Sequence, residues 1–305
     1  MIPIKLDVPK RSGKAVIAVV VAVVVILAAI LLFADFSPHG KFTLTVMFTG
    51  DLHGNMSVMP YYSAHISQQR RSGQVLLLDC GDLYQGGDLD HQGGIPEAVV
   101  LSAMKYDAMT LGNNEFWSSE NTEEDCDRKI AALAEHSTFD ILCANVEKNG
   151  ELMPGIKPYT IVNKGGMRIA VIGLTTDSMD NKEVKNKAIY DPVEVLDSIT
   201  AELEGKADIK IVLSHCETAH NMQFKNVDVI IAGHVHKPTE TPIENSYGIP
   251  IVRAGGENEG HLGKLTLNLK ELDGKWGIED LTFDLLSSNG VLPDQKIYAI
   301  VAGLK

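Results

Sequence analysis

Short apolar runs alternate along this chain with polar segments of helical length. The runs are rich in Val, Ile and Leu and end at Gly, Asn, Asp or Pro, which is the pattern of β-strands. Nine strands are predicted, at residues 42–49, 74–80, 108–111, 139–146, 167–174, 209–215, 227–233, 249–255 and 263–270. Four helices are predicted between them, at residues 59–71, 95–105, 123–136 and 192–204. This alternation predicts an α/β fold in which helices cover the sheets.

Local signals refine this outline at three places. Asp191 and Pro192 suit the cap and the first turn of the helix over 192–204. Pairs of runs near the carboxyl end resemble hairpins, so part of the sheet is expected to be antiparallel. The final stretch, which opens with Pro293 and Asp294, predicts a last helix that reaches the chain end.

The first 34 residues have a different pattern. An uncharged apolar run covers residues 15–34, and twenty such residues span roughly 30 Å as a helix, the thickness of a bilayer core. Basic residues precede it, so the amino terminus is expected in the cytoplasm and the rest of the chain outside. A cleaved signal peptide is the alternative. The run is long for one, and Leu32 stands where a small residue should precede the cut, so we favour an uncleaved anchor in the cell membrane.

The net charge of the chain limits the kinds of molecule that it is expected to bind. The formal net charge is −13, and the body of the chain has no basic run, which argues against a nucleic acid polymer as partner. A small phosphate substrate stays compatible, because bound metal ions reverse the local field. The four cysteines show no disulfide framework, and Cys80 and Cys143 lie in apolar runs where a buried thiol is expected.

The candidate chemistry lies where the predicted strands end. Groups beyond the carboxyl ends of strands gather in one crevice of an α/β sheet. Seven metal-capable side chains occupy such positions: Asp51, His53, Asp82, Asn113, His215, His234 and His236. Each motif alone is more often a turn or a capped imidazole, but their joint occurrence predicts a metal site. Imidazole with carboxylate suits two divalent ions of Mn, Zn, Fe or Co, with Asp82 as the bridge.

These motifs, in this order, resemble a known family. GDLHG, GDLYQGG, GNNE, LSHCE and GHVH are similar to the motifs of the calcineurin-like metallophosphoesterases, and most similar to the catalytic domain of 5′-nucleotidases and their 2′,3′-cyclic-nucleotide phosphodiesterase relatives. The likeness runs from about Phe42 to about Phe283. It implies a four-layer α-β-β-α sandwich. It implies one ion on Asp51, His53, Asp82 and His236, and a second on Asp82, Asn113, His215 and His234.

With the resemblance, the chain divides into five parts. They are a cytoplasmic basic segment (1–14), a transmembrane signal anchor (15–34), a linker (35–41), a metallophosphoesterase domain (42–285) and a C-terminal helix and tail (286–305). Nucleotidases of the family carry a further C-terminal domain that clamps the base. Because the chain ends at Lys305, the resemblance alone implies no nucleotide specificity, and no protein partner is inferred.

The turn at residues 112–117 departs from the family pattern. The family places a histidine at position 114 and an aspartate at 117, whereas this chain has Asn114 and Trp117. Asn114, the candidate catalytic and substrate-binding residue, can donate a hydrogen bond to a phosphoryl oxygen but cannot protonate an alkoxide. Loss of a positioned acid costs about 10²–10⁴ in rate. Glu115 is expected to brace the turn by accepting backbone hydrogen bonds.

Three histidines outside the ligand set are candidates to replace that acid: His91, His220 and His261. His261 ranks first and is also a candidate substrate contact, because the resemblance places its segment near the pocket.

Three functional hypotheses follow. The leading one is an anchored, exoplasmic phosphoesterase with two divalent ions, acting on small phosphate esters such as nucleotides or cyclic nucleotides through an ion-activated hydroxide. The second is a pseudoenzyme that keeps its ions and serves as a binding module, with little turnover because Asn114 and Trp117 replace the His–Asp pair. The third, an anchored structural domain without metal, leaves the seven filled ligand positions unexplained.

Overall fold

The computed structural model describes residues 20, 21, 24, 40–84, 94–117, 122–179, 184–256 and 260–304. Contacts divide the chain into two units, residues 1–37 and 38–305. Within the described ranges, no helix is both long and apolar enough to cross a bilayer. The anchor predicted over 15–34 lies outside those ranges except for three valines.

The described part of the second unit contains strands and helices in alternation. Its strands are β1 (Lys41–Thr49), β2 (Gln74–Asp79), β3 (Ala108–Thr110), β4 (Asp140–Leu142), β5 (Val146–Lys148), β6 (Glu151–Leu152), β7 (Ile156–Lys157), β8 (Tyr159–Lys164), β9 (Met167–Thr175), β10 (Lys187–Ile189), β11 (Ile209–His215), β12 (Val229–Ala232), β13 (Ile243–Glu244), β14 (Pro250–Val252), β15 (Leu262–Leu272) and β16 (Lys275–Leu286). Its helices are α1 (Met59–Ser72), α2 (Ile95–Met104), α3 (Glu123–His136), α4 (Pro192–Glu202), α5 (Thr218–Asn221) and α6 (Gln295–Gly303).

Two large sheets and one small sheet organise these strands. The seven-stranded sheet has the order β16-β15-β1-β2-β3-β4-β7, and the six-stranded sheet has the order β13-β14-β12-β11-β9-β8. A small sheet pairs β10, β5 and β6. Strands β1 to β4 are parallel, as are β9, β11, β12 and β14, so their carboxyl ends share one edge in each large sheet.

Three buried apolar clusters separate the layers. One lies between the seven-stranded sheet and helices α1, α2, α3 and α6, and includes Leu77 and Leu101. The second joins the two large sheets through residues such as Leu44 and Ile169. The third packs α4 on the six-stranded sheet around Leu196. Continuous apolar runs explain this order, because strands buried on both faces need apolar side chains on both.

The sequence patterns predict most of this architecture. The predicted helices match α1 to α4 within two residues at each end, and part of the sheet is antiparallel as expected, since β15 pairs antiparallel with β1 and with β16. The single strand predicted over 139–146 is wrong, because the chain breaks into β4 and β5 around Asn145. That side chain donates to the Thr175 carbonyl at 2.8 Å and accepts from the Thr175 amide at 3.0 Å. Strands β8, β10 and β16 are additions that the apolar runs did not mark.

All four cysteines are buried, as expected for Cys80 and Cys143. Cys126, in the polar stretch that forms α3, is also fully buried and contributes to the helix-side cluster.

The amino edge of the sheets is held by a repeated aspartate contact. Asp107, Asp208 and Asp228 each precede a strand and accept a hydrogen bond from a backbone N–H of the neighbouring strand, at 2.9, 2.8 and 2.7 Å. Each aspartate also donates its own backbone N–H to the carbonyl oxygen of the same residue on that strand, at 2.8 to 2.9 Å. These carboxylates therefore satisfy strand ends that would otherwise be open.

Candidate metal centre

All seven predicted ligands follow directly from strands at the carboxyl edges. In the seven-stranded sheet, β1 leads to Asp51 and His53, β2 to Asp82, and β3 to Asn113. In the six-stranded sheet, β11 ends at His215, and β12 leads to His234 and His236. Because the two sheets pack face to face, their carboxyl edges meet, and side chains distant in sequence share one crevice.

The first predicted set is assembled as a compact group. Ligand atoms of Asp51, His53, Asp82 and His236 all lie within 4.8 Å of one another. The Nε2 atoms of His53 and His236 are 3.1 Å apart, and Nε2 of His236 is 3.6 Å from Oδ1 of Asp51. His236 is exposed while the other three are buried, so this group opens towards solvent on one side.

The second predicted set adjoins the first at Asp82. Nδ1 of His234 lies 3.0 Å from Oδ1 of Asn113, and Nε2 of His215 lies 3.2 Å from Oδ2 of Asp82. Asp82 is therefore within reach of both groups, which is the position that a bridging carboxylate requires.

His215 is oriented as a metal ligand. Its Nδ1 is 2.7 Å from the carbonyl oxygen of Cys80, which can only accept, so Nδ1 carries a proton and Nε2 is the nitrogen available to a metal ion. Nε2 is buried and has no hydrogen-bond partner in the described part of the chain. A histidine that donates one ring nitrogen to a carbonyl and directs the other at carboxylates has the arrangement of a metal-binding imidazole.

Backbone strain is concentrated at the same residues. Nine non-glycine residues in the described ranges have positive φ, and five of them are predicted ligands: Asp51, His53, Asp82, His234 and His236, with φ of 52, 46, 53, 71 and 57°. Such conformations cost about 1–3 kcal/mol each and persist where the surroundings impose them. The fold therefore maintains an unfavourable backbone to direct these five side chains into the crevice.

Glu115 holds the loops that carry Asp82 and Asn113. Its buried carboxylate accepts from the backbone N–H groups of Gly112, Asp82 and Leu83 at 2.6, 2.9 and 2.8 Å. The predicted bracing role is confirmed. Gly112 permits the close approach, because a Cβ there would lie 2.2 Å from Oδ1 of Asp82.

The charges of the crevice favour a cation. Burial raises the pKa of Asp51 to about 6, against the lowering effect of His215. Burial alone would lower the pKa of His215, but Asp82 and Asp51 outweigh it and raise that pKa to about 10. The carboxylates thus draw positive charge to the point where His215 Nε2 faces them, and divalent ions would supply it.

Asn114 contacts Asp82 through both its backbone and its side chain. Its N–H donates to Oδ1 of Asp82 and its Nδ2 donates to Oδ2, both at 2.8 Å. The following Phe116 is fully buried, and the Trp117 ring lies 5.8 Å from the ammonium of Lys129 on α3. Trp117 therefore packs towards α3, and Asn114 faces the metal crevice.

The three candidate acids have different positions. His91 lies outside the described residues. Nδ1 of His220 is 3.2 Å from Oε2 of Glu217, whose Oε1 is 3.8 Å from Nε2 of the predicted ligand His234. His261 lies beside a small cavity bordered by Gly50, and its Nδ1 is buried without a hydrogen-bond partner in the described ranges.

Two site residues were missed by sequence reasoning. Glu217 follows the predicted ligand His215 by two positions and accepts a 2.6 Å hydrogen bond from Thr176. Arg253 follows β14 at the same sheet edge and is 8% exposed. A signal for Arg253 was present, because a cation directly ends the apolar run IPIV.

The residues fit a pair of divalent ions. The donors are imidazole, carboxylate and amide oxygen, which together suit Mn, Zn, Fe or Co. Nε2 of His215 is buried with no hydrogen-bond partner among the described residues, and five of the other predicted ligands have a strained backbone that directs them into the crevice.

Comparison of this sequence with known proteins finds relatives in one family. The sequence profile of the calcineurin-like phosphoesterases matches residues 44–238. A snake venom 5′-nucleotidase from Naja atra is 30% identical over 230 residues, covering 65% of this chain and 42% of that protein. The uncharacterized metallophosphoesterase YunD of Bacillus subtilis (strain 168) is 28% identical over 239 residues, covering 72% of this chain and 49% of that protein. This chain thus spans less than half the length of either relative.

A solved structure extends the likeness to the fold. The calcineurin-like phosphoesterase YfkN from Bacillus subtilis superimposes with a TM-score of 0.71 at 23% identity, covering 87% of this chain and 97% of that chain.

Proposed function

The chain belongs to the calcineurin-like phosphoesterase family, and on that basis we propose that it is a metal-dependent phosphoesterase acting on small phosphate esters, nucleotides or cyclic nucleotides among them. The observation that carries this proposal is the convergence of seven ligand-type side chains from five strand ends. The relatives named as 5′-nucleotidases support the substrate class.

The chain's own residues would hold and orient the reacting groups. Asp51, His53, Asp82 and His236 would bind one ion, and Asp82, Asn113, His215 and His234 the other. When bound, the ions would supply Lewis acidity towards the phosphoryl oxygen and an activated water. The Cys80 carbonyl fixes the tautomer of His215, and Glu115 holds the loop of Asp82.

Asn114 would act as a hydrogen-bond donor to the substrate. Its amide donates to Asp82 and would be free to turn to a phosphoryl oxygen once an ion engages that carboxylate. It cannot give a proton to a departing alkoxide, so esters with good leaving groups are the preferred substrates.

We also propose that residues 15–34 anchor the protein in the cell membrane with the phosphoesterase domain outside. The apolar length of that run and the basic residues before it support the proposal. Two experiments test it: carbonate extraction of isolated membranes, and protease treatment of intact cells. Release of the protein by carbonate, or protection of the domain from protease, would contradict it.

The decisive experiment measures metal-dependent turnover by the full-length protein in detergent. The purified protein is loaded with Mn or Zn and assayed against p-nitrophenyl phosphate, bis-p-nitrophenyl phosphate and AMP. We expect activity that chelation abolishes and that Asp82→Ala removes. Asp208→Ala, at the opposite sheet edge, is the matched control and should retain activity. Equal hydrolysis and metal content in Asp82→Ala and wild type would overturn the proposal.

The second candidate function is a binding module that keeps its ions. Asn114 and Trp117, in place of a proton donor and its partner, favour it. A module of this kind would bind Mn or Zn and inorganic phosphate stoichiometrically without turnover. Gain of hydrolysis in Asn114→His would then identify position 114 as the reason.

A further inference from the structure

Arg253 lies at the same sheet edge as the metal crevice. Strand β14 runs parallel to β12, with Val252 opposite Ile231. Arg253 is therefore next to Ala232, two residues before His234. The guanidinium reaches Thr218, where Nη2 donates to Oγ1 at 3.1 Å. Since Thr218 begins α5 three residues after His215, the cation lies beside two segments that carry predicted ligands.

The guanidinium is buried without a counter-ion. Arg253 is 8% exposed, and its Nε is buried with no hydrogen-bond partner among the described residues. Within those residues no carboxylate lies at ion-pairing distance from it. Arg168 is a contrasting case, because its exposed guanidinium contacts Asp208 at 2.6 Å. Among the described residues, the guanidinium thus has one hydrogen-bond acceptor, Thr218, and its buried Nε has none.

A buried cation of this kind requires a negative charge nearby. Burying an unpaired charge is unfavourable, so proteins pair such groups or use them. Burial lowers the pKa of Arg253, and among the described residues the negative charge of Asp51 opposes this effect. In the proposed function Asp51 is a ligand, so its negative charge would be taken up by a divalent cation. Arg253 is then left for an anion that enters the crevice.

We propose that Arg253 is a phosphate-recognition residue, which binds the phosphoryl group of a substrate held at the metal centre and favours dianionic monoesters over monoanionic diesters. The inference rests on the proposed function for its substrate class. Guanidinium donors match the oxygens of a phosphoryl group, and the second negative charge of a monoester strengthens the attraction. Arg253 would thus supply a positive charge to the phosphoryl group, which the neutral amide of Asn114 does not.

A purely structural role makes a different prediction. If Arg253 serves only to hold the start of α5, then removing its acceptor in Thr218→Ala should have the same effect as Arg253→Gln. If it binds phosphate, Thr218→Ala leaves the cation in place and phosphate affinity within about threefold. Arg253→Lys retains the charge but loses the fork of donors, and should lie between wild type and Arg253→Gln.

The test measures phosphate binding and ester preference together. Full-length wild type and the variants Arg253→Gln, Arg253→Lys, Thr218→Ala and Arg168→Gln are loaded with Mn, and their metal content and melting temperature are recorded. Inorganic phosphate affinity is measured by calorimetry, and kcat/KM is measured for p-nitrophenyl phosphate and bis-p-nitrophenyl phosphate. In Arg253→Gln we expect phosphate affinity and monoester kcat/KM to fall about tenfold to hundredfold, the range for a charge-assisted hydrogen bond. Diester kcat/KM and metal content should change less than about threefold, as should all values for Arg168→Gln.

The outcomes separate this inference from the proposed function. If wild type hydrolyses esters and Arg253→Gln keeps both phosphate affinity and monoester preference, the inference is overturned while the function stands. If no protein turns over but Arg253→Gln still loses phosphate affinity, the function fails and Arg253 remains a phosphate-binding residue. Equal losses in Thr218→Ala and Arg253→Gln would assign Arg253 to the fold alone.

Discussion

The two edges of the large sheets use the same side chain for different purposes. At the amino edge, Asp107, Asp208 and Asp228 accept hydrogen bonds from backbone N–H groups of neighbouring strands. At the carboxyl edge, Asp51 and Asp82 have left-handed backbones and face imidazoles. The first group completes the fold, whereas the second brings unneutralised charge together in a buried crevice.

This difference gives a physical criterion for function. An aspartate whose oxygens are used by strand ends contributes stability and leaves nothing for a ligand. An aspartate held against another carboxylate, on a strained backbone, lowers stability and is retained for what it binds. Substitutions on the two edges should therefore have opposite signatures.

The largest expected effect is at the carboxyl edge. We expect Asp51→Asn to lose metal-dependent turnover and most of its bound metal, because the amide is a weaker ligand. The thermal stability measured in chelator should be unchanged or higher, since the amide oxygen can still accept from the His234 N–H at 2.9 Å. Assays of kcat/KM, metal content and melting temperature check this. A variant that keeps its activity but melts much earlier would reverse the assignment of this edge.

Glu115 lies at the carboxyl edge but differs from Asp51 and Asp82, because its carboxylate stabilises the fold. Glu115→Ala leaves three buried N–H groups unsatisfied and should cost roughly 3 to 9 kcal/mol, at about 1–3 kcal/mol each. Glu115→Gln keeps one acceptor oxygen and should lose less. Urea unfolding measures both variants. Unchanged stability in Glu115→Ala would mean that these contacts do not support the turn.

Asp79 gives a pH-dependent test. It is fully buried, and burial raises its pKa to about 6 from an ordinary value of 3.8. The folded state therefore favours the protonated form, so the stability from Asp79 is complete below pH 3.8 and is lost as pH rises to about 6. A shift of this size is worth on the order of 3 kcal/mol. Asp79→Asn should remove that decline.

Urea unfolding of wild type and Asp79→Asn at pH 4 and pH 7 measures the difference. The gap in free energy of unfolding should move in favour of the variant at the higher pH. A gap that does not change with pH would show that Asp79 does not titrate in this range.

The smallest effect is expected at the amino edge. Asp228→Ala removes the acceptor for the Lys210 N–H and should cost about 1–2 kcal/mol of stability, with kcat/KM within about threefold of wild type. Denaturant unfolding and the ester assay check the pair of values. Loss of turnover without loss of stability would contradict the division between the edges.

The sequence predicts which side chains meet in the crevice better than it predicts their surroundings. Asp82 and His215 could be placed at strand ends because apolar runs end immediately before them. The direction of the Asn114 amide could not be predicted, since it depends on the 2.8 Å approach of Asp82 from another strand. Arg253 was missed for a related reason: the sequence shows a lone cation after an apolar run, but not that it is buried and has no ion-pair partner among the described residues.

The predicted strand boundaries are wrong where a side chain binds the backbone within an apolar run. Asn145 breaks an apolar run by bonding the backbone of Thr175, a contact between residues thirty positions apart. No local signal reports such a contact.

The pairing of β1 with β15 has a consequence for synthesis of the protein. Thr43 pairs with Asn268 across the centre of the seven-stranded sheet. At roughly 5–20 residues per second, a ribosome needs about 10 to 45 s to make the chain between them. During that time one side of an apolar strand is without its neighbour. The nascent chain therefore depends on its later half arriving before β1 pairs with another molecule.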